Sequence, residues 1–109
     1  MKHTKNMIYV PSQEARELTL YAANSSDIYF RNIKPVVASL AKKMRRGEFN
    51  KELAIDAFYH VACESAKTYY RDFCYMYSGF KFYVSDRYTA ASDLLDMFID
   101  DIKELAASA

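Results

Sequence analysis

The sequence predicts an all-α protein, a compact four-helix bundle formed by a single domain of 109 residues. Only two glycines and two prolines are present, so little of the chain can form elaborate loops. Apolar residues recur at helical spacing in four stretches, each of which follows a helix-start signal. Apolar residues make up 51% of the chain and charged residues 27%, which is a globular rather than a disordered composition.

The first helix is expected to run from Ser12 to Asn24. Residues 1–11 are predicted to form an extended N-terminal arm, because the β-branched and aromatic run MIYV ends at Pro11. Ser12 has the chemistry of an N-cap, and Glu14 stands near the positive end of the helix dipole.

The second helix is expected to begin at Ser25 and Asp27, where a capping residue is followed by an acid in the first turn. Its apolar stripe passes through Pro35 without losing phase. A proline inside a helix costs about 3 kcal/mol, so the helix either kinks at Pro35 or ends and restarts there. The unbroken phase favours one kinked helix. Gly47 stands where a C′ glycine belongs, directly after KKMRR.

The third helix is predicted to be the longest, with Asn50 as its N-cap and Phe49 as a hydrophobic staple. The connection that follows, FKFYV, alternates weakly, as a short strand does. If MIYV and this connection are strands, residues 7–10 are expected to pair with residues 80–84.

The fourth helix is expected to open at Ser85 and Asp86. Six apolar residues repeat along it at alternating spacings of three and four: Tyr88, Ala91, Leu95, Phe98, Ile102 and Leu105. Such a narrow seam suits a partner helix in the same fold or in a second subunit, so the sequence also predicts a homodimer.

The net charge of +1 conceals an uneven distribution. Residues 1–51 carry a net charge of +6 and residues 52–109 one of −5. Either the first half forms a basic binding face, or the two halves complement each other within one fold or between subunits, and the complementary interpretation is preferred. No uninterrupted apolar run of roughly 18 residues and no apolar core of a signal peptide is present. The protein is therefore expected to be soluble and intracellular.

The two cysteines, Cys63 and Cys74, are expected to be reduced thiols. Eleven residues of one helix separate their Cα atoms by roughly 16 Å. A disulfide needs the two Cα atoms within about 7 Å of each other. Reduced thiols agree with a cytosolic location.

No catalytic or metal-binding motif emerges from the chemistry-bearing residues. His60, Cys63 and Glu64 lie at i, i+3 and i+4, but no second ligand cluster accompanies them, so a buried thiol beside solvated polar groups is the plainer interpretation. Asp93 and Asp96 with Asp100 share one face of the last helix, where carboxylates opposite an apolar seam are usually solvent-exposed. The sequence therefore predicts a non-enzymatic protein without a metal or cofactor.

A basic run at the end of the second helix, Lys42, Lys43, Arg45 and Arg46, supports an alternative hypothesis of nucleic-acid binding. Cations at a helix C-terminus are also favoured by the helix dipole alone. The overall charge of +1 is far below that of most DNA-binding domains. Nucleic acid is thus the less favoured partner.

Eight of the fifteen residues from Tyr69 to Tyr83 are aromatic. On helical phase, Tyr69 and Phe73 belong to the core stripe of the third helix. The other six fall off that stripe or lie in the connection, and they are the predicted contact residues for a protein partner: Tyr70, Tyr75, Tyr77, Phe80, Phe82 and Tyr83. Tyrosine is enriched at protein interfaces, which favours this interpretation.

The segments LTLYAAN, KKMRRGEFN and SDRYTAA mark a stretch, from Glu17 to about Asp96, that resembles short helical proteins often encoded in bacteriophage genomes and mobile elements. The resemblance implies a viral origin rather than a particular activity. It agrees with a small accessory protein that binds a host or phage protein in an infected bacterium. Inhibition of a host enzyme or of a defence complex is the form of action we expect.

Overall fold

A computed structural model describes residues 12–73 and 82–108 of the chain. These residues form four helices, so the prediction of an all-α bundle is confirmed. The helices are α1 (Gln13–Asn24), α2 (residues 26–45), α3 (Lys51–Phe73) and α4 (Val84–Ala107). Strands are absent from both described ranges.

The predicted N-terminal arm, residues 1–11, lies outside the described residues, and so do residues 7–10 and 80–81 of the suggested strand pair. Phe82 and Tyr83 are irregular, and Val84 already belongs to α4. The described part of the second segment is therefore a helix start rather than a strand.

Side-chain caps fix three helix starts where the sequence predicts them. The Ser12 hydroxyl accepts a hydrogen bond from the backbone N–H of Ala15 at 3.0 Å. Ser25 caps α2 in the same way, and the Asn50 side chain accepts two backbone N–H groups at the start of α3, at 2.8 and 3.2 Å. These bonds satisfy donors that the first helical turn leaves unpaired.

Gly47 ends α2 as the sequence predicts. Its φ of 74° is in the left-handed region that glycine adopts without steric cost. The Gly47 N–H donates to the carbonyl of Met44 at 3.1 Å, and the Glu48 N–H donates to the carbonyl of Lys43 at 2.8 Å. This pair of bonds is the Schellman motif, which satisfies the last carbonyls of a helix.

Pro35 neither breaks α2 nor interrupts its apolar stripe. The helix starts with an α-helical turn, Ser26–Ile28, passes through a π-helical turn, Tyr29–Ile33, and continues as the α-helix Lys34–Arg45. In the π turn the Lys34 N–H donates to the carbonyl of Tyr29, five residues back. A π turn is one of the few ways in which a helix accommodates a proline that lacks an N–H and crowds the preceding turn. The predicted continuity of the helix through Pro35 is thus confirmed.

Helix α4 begins at Val84, earlier than the predicted opening at Ser85 and Asp86. Asp86 occupies the third helical position, and its carboxylate accepts the backbone N–H of Tyr83 at 2.9 Å. An acid at this position reaches back to the N-cap residue, which places the cap at Tyr83.

Helices α3 and α4 are nearly equal in length, with 23 and 24 residues over the described part of the chain. Over the described residues α4 is one residue longer than α3, so the prediction that the third helix is the longest is not confirmed. The two run antiparallel, since Tyr59 of α3 stacks on Tyr88 of α4 and Tyr70 further along α3 contacts Phe82 before α4.

Helix α4 lies at the centre of the bundle and packs against each of the other three helices. One core cluster joins α2, α3 and α4 around Phe58, the largest fully buried side chain. A second cluster joins Leu18 of α1 to the end of α3 and the start of α4. Only the middle of the predicted α4 seam is covered within the chain. Ala91, Leu95 and Ile102 are buried and Phe98 is half-buried, whereas Tyr88 and Leu105 at its two ends are exposed.

Candidate binding surface

The six predicted contact residues differ in how they are placed. Tyr75, Tyr77 and Phe80 lie outside the described residues. Tyr83 is 61% exposed, as expected of a contact residue. Tyr70 is half-buried, and its hydroxyl accepts a hydrogen bond from the backbone N–H of Phe82.

Phe82 is wrongly predicted as a contact residue, because only 4% of it is exposed. Its ring meets the ring of Tyr69 edge to face at 5.1 Å and lies 5.6 Å from that of Tyr70. Helical phase assigns no direction to a residue in a connection, so the sequence could not show that the chain turns this side chain under the end of α3.

What we call the outer aromatic surface consists of three exposed side chains around the start of α4, Tyr83, Val84 and Tyr88, and of the half-buried Tyr59 of α3. Val84 is 53% and Tyr88 45% exposed, and they lie four residues apart on one helix face. The Tyr88 ring stacks on that of Tyr59 with centroids 4.1 Å apart and planes 23° apart. Two helices thus present their rings side by side to solvent.

Arg87 connects the outer aromatic surface to the core. Its guanidinium lies 6.0 Å from the centroid of the Tyr59 ring and donates to the carbonyl of Phe82 at 2.7 Å. The interaction with the Tyr59 side chain raises the pKa of Arg87, while burial acts in the opposite direction. A cation held against an aromatic ring reduces the freedom of both side chains.

Asp86 holds the outer aromatic surface to α1. The buried carboxylate accepts the Ser12 hydroxyl at 2.7 Å and the Tyr83 N–H at 2.9 Å. Ser12 therefore caps α1 with its acceptor capacity and binds α4 with its proton. The acid at the third position of α4 predicts the bond to Tyr83, but nothing in the sequence indicates the bond to Ser12, 74 residues away.

A different set of rings, here called the inner aromatic cluster, joins α1 to the end of α3: Tyr21, Tyr69 and Phe73. Tyr69 is 4% exposed, which confirms its predicted place in the core, and its hydroxyl donates to Glu17 at 3.2 Å. The Tyr21 hydroxyl donates to Asp72 at 2.9 Å. The sequence does not indicate these two hydrogen bonds between side chains, because they form only where two helices cross.

The phenol of Tyr21 and the carboxylate of Asp72 shift each other's ionisation. Burial, followed by the hydrogen bond to Asp72, raises the pKa of Tyr21 to about 12. The same hydrogen bond, followed by that from Arg71, lowers the pKa of Asp72. Both shifts favour the neutral phenol bonded to the ionised carboxylate.

The basic run is exposed at Lys42, Arg45 and Arg46 and half-buried at Lys43. Arg45 donates to the carbonyl of Leu105 at 3.0 Å, so this end of α2 lies beside the C-terminus of α4. Residues 28–47 contain six Lys and Arg and no acid, whereas residues 93–104 contain five acids and one Lys. The fold therefore brings the most basic and the most acidic stretches together.

The residues weighed for metal binding do not converge. His60 and Glu64 are exposed, whereas Cys63 is half-buried in a small pocket with Tyr70 and Arg87. Within residues 12–73 and 82–108, no group of three His, Cys, Asp or Glu side chains is arranged to hold a metal ion. Cys63 is a free thiol, and Cys74 lies outside the described residues.

The three carboxylates that share one face of α4 differ in how far they are exposed. Asp96 and Asp100 are exposed. Burial, followed by repulsion from Asp96, raises the pKa of Asp93, which is half-buried. Asp96 and Asp100 are thus typical of a solvated helix face, whereas Asp93 lies at its partly covered edge.

None of the described helices combines the length and the apolar composition that a membrane span requires. Comparison with protein-family models, with curated proteins and with solved structures finds no match to this chain.

Proposed function

We propose that this chain is a small, non-enzymatic accessory protein of the phage type that acts by binding another protein in the cytoplasm of a bacterial host cell. The observation that supports it is the outer aromatic surface. Tyr83, Val84 and Tyr88 are each between 45% and 61% exposed within two helical turns. Tyrosine with a neighbouring arginine is the composition enriched at interface hot spots, and here Arg87 supplies the arginine.

Order in the free protein also favours binding at this surface. Tyr88 is stacked on Tyr59, and the backbone of Tyr83 is held by Asp86. Side chains and backbone that are already positioned lose little entropy when a partner docks. A surface that was only a collection of mobile apolar groups would lack this advantage.

Affinity capture with a matched control tests the proposal. The tagged chain is compared with the double variant Tyr83→Ser/Tyr88→Ser and with Met97→Ser, which removes an exposed apolar side chain from another face of α4. We expect one host or phage protein in stoichiometric amount with the parent chain and with Met97→Ser, and its loss with the double variant. Capture that is equal for all three chains, or no stoichiometric partner from several hosts, contradicts the proposal.

Inhibition of a host enzyme or of a defence complex is the specific action that we propose for the complex. A small protein without catalytic residues acts on its target by occupying a surface. Titration of the captured partner with the chain should therefore reduce its activity in proportion to occupancy and level off at one equivalent. An unaffected activity at full occupancy would replace inhibition with a scaffolding role.

We also propose that the chain forms a homodimer. No ion pair joins the basic stretch to the acidic stretch among the described residues, so both remain open to a second copy. A two-fold axis can place the basic stretch of each copy on the acidic stretch of the other. Sedimentation should show twice the chain mass of 12.6 kDa, and the species should dissociate at high salt. A 12.6 kDa species at high concentration contradicts this.

Nucleic-acid binding through the basic run is the alternative proposal. The exposure of Lys42, Arg45 and Arg46 supports it, and the acidic end of α4 beside them opposes it. If it holds, affinity for duplex or single-stranded DNA should fall steeply as salt rises, and Lys43→Glu/Arg46→Glu should abolish binding. Binding that is indifferent to salt and to both substitutions would exclude it.

A further inference from the structure

A groove of about 410 Å³ lies between α2 and the C-terminal end of α4. It is at the opposite end of α4 from the outer aromatic surface and shares no residue with it. Its floor is apolar and comes from Tyr29 and Val37 of α2 and from Leu105 of α4. Leu105 is 43% exposed, so a partner that docks in the groove would remove apolar surface from water.

The two walls of the groove carry opposite charge. Lys34 stands on the α2 wall, Asp101 and Glu104 stand on the α4 wall, and all three residues are exposed. None of the ion pairs in the described part of the chain involves them. The Lys34 ammonium instead lies 5.5 Å from the centroid of the Phe30 ring, which belongs to the same helix and is 62% exposed. The charges of both walls are therefore open to a partner.

The two walls run in the same direction. Tyr29, near the start of α2, packs against Phe98 with ring centroids 6.2 Å apart, and Arg45, at the end of α2, donates to the carbonyl of Leu105 at 3.0 Å. A two-fold axis along the groove therefore turns the α2 wall of one copy onto the α4 wall of another without reversing either helix. In this arrangement the basic wall of each copy meets the acidic wall of the other.

We infer that this groove is the contact surface between two copies of the chain. Lys34 of each copy pairs there with Asp101 and Glu104 of the other, and Leu105 and the Phe30 ring lose exposed apolar surface. The inference rests on the homodimer proposed above and assigns it an interface. A second copy is the occupant that the charges favour, because the two walls complement each other and every copy carries both.

An exchange of charge between two variants tests the pairing. One chain carries Lys34→Glu, and the other carries Asp101→Lys/Glu104→Lys. Either variant alone gives the facing walls the same charge, so the dissociation constant of its dimer should rise at least about tenfold. In an equimolar mixture, position 34 of each chain faces positions 101 and 104 of the other with opposite charge. We expect the mixture to dimerise about as tightly as the parent chain, as measured by sedimentation at low salt.

Arg31→Glu is the matched control, because it changes the net charge by the same amount as Lys34→Glu on another face of α2. Arg31 lies in a separate pocket between α2 and α3, where it pairs with Asp27. The dissociation constant of the dimer should stay within about twofold of the parent value, since an exposed ion pair away from the interface contributes little.

Leu105→Ser tests the apolar floor without changing any charge. It should raise the dissociation constant of the dimer about five- to thirtyfold, because the side chain is lost from both copies. The bond from Arg45 uses the backbone carbonyl of this residue and is retained. The melting temperature shows whether each variant is folded, and Leu105→Ser keeps the inference testable if a charge variant is not.

Failure of the homodimer and failure of the groove give different results. A parent chain that sediments as a 12.6 kDa species at high concentration overturns both. A parent dimer that persists in Lys34→Glu and in Asp101→Lys/Glu104→Lys overturns the groove alone, and so does a mixture that dimerises no better than either variant separately. If these variants stay dimeric but lose the protein captured by the parent chain, the groove binds that protein and the inference is likewise overturned.

Discussion

The inner aromatic cluster and the outer aromatic surface use the same residue type in opposite ways. Tyr69, in the inner cluster, is 4% exposed, its ring contacts others, and its hydroxyl is bonded to Glu17. Tyr88, in the outer surface, stacks one face on Tyr59 and leaves 45% of the residue exposed. A tyrosine therefore stabilises the fold where a second helix covers both ring and hydroxyl, and it is available to a partner where only one neighbour covers it.

The largest expected difference between the two regions is in stability. Tyr69→Ala removes a buried ring and leaves Glu17 without its donor, so it should lower the free energy of unfolding by about 3–5 kcal/mol. Tyr88→Ala removes one stacked, half-exposed ring and should cost about 0.5–1.5 kcal/mol. Urea denaturation of both variants measures the difference. Equal losses would mean that the buried ring of Tyr69 stabilises the fold no more than the half-exposed ring of Tyr88.

The second-largest loss of stability is expected when Asp86 is replaced, because this residue holds the outer aromatic surface to α1. Asp86→Ala removes the acceptor of both the Ser12 hydroxyl and the Tyr83 N–H, so we expect a loss of about 1.5–3 kcal/mol in the free energy of unfolding. Asp96→Ala, at an exposed carboxylate on the same helix, is the control and should stay within about 0.5 kcal/mol. If both substitutions change the free energy of unfolding by a similarly small amount, the buried hydrogen bonds of Asp86 do not stabilise the fold.

The inner aromatic cluster should also make the stability of the fold depend on pH, through the phenol of Tyr21. The folded pKa of Tyr21, about 12, is above the ordinary value of 10.0, so its contribution to stability is present below pH 10.0 and is lost as the pH rises toward 12. Stability should fall less steeply over this window in Tyr21→Phe, as followed by thermal unfolding. Asp72→Asn should lower the pKa of Tyr21 without restoring the ordinary value, because burial remains the larger cause. An unchanged pKa in that variant, measured by NMR, would contradict the role of Asp72.

The smallest expected effect on stability is that of Tyr83→Ala, which adds no capping side chain at this N-cap position. The side chain is 61% exposed, and the bond to Asp86 uses the backbone N–H, so the free energy of unfolding should change by no more than about 0.5 kcal/mol. Capture of a protein partner should nevertheless weaken. A loss of binding that is accompanied by a large loss of stability would assign Tyr83 to the fold rather than to the surface.

Local signals in the sequence predict much of the fold but less of the candidate site. Ser12, Ser25 and Asn50 cap helices and Gly47 ends one, because each acts on backbone groups within a few residues. The buried place of Phe82 was missed, since periodicity says nothing about a residue between two helices. Of the exposed residues around the start of α4, only Tyr83 was predicted as a contact residue, because Tyr88 was assigned to the apolar seam.

The sequence alone determined the helices of this protein, because spacing, caps and terminators are interactions between near neighbours in the chain. It also determined that basic residues come first and acidic residues last. Only the tertiary structure decided which tyrosines are covered, that Ser12 and Asp86 meet, and that Tyr21 and Tyr69 pair with Asp72 and Glu17. Those contacts join residues 51 to 74 positions apart, and they exist only because α1 crosses the end of α3 and the start of α4.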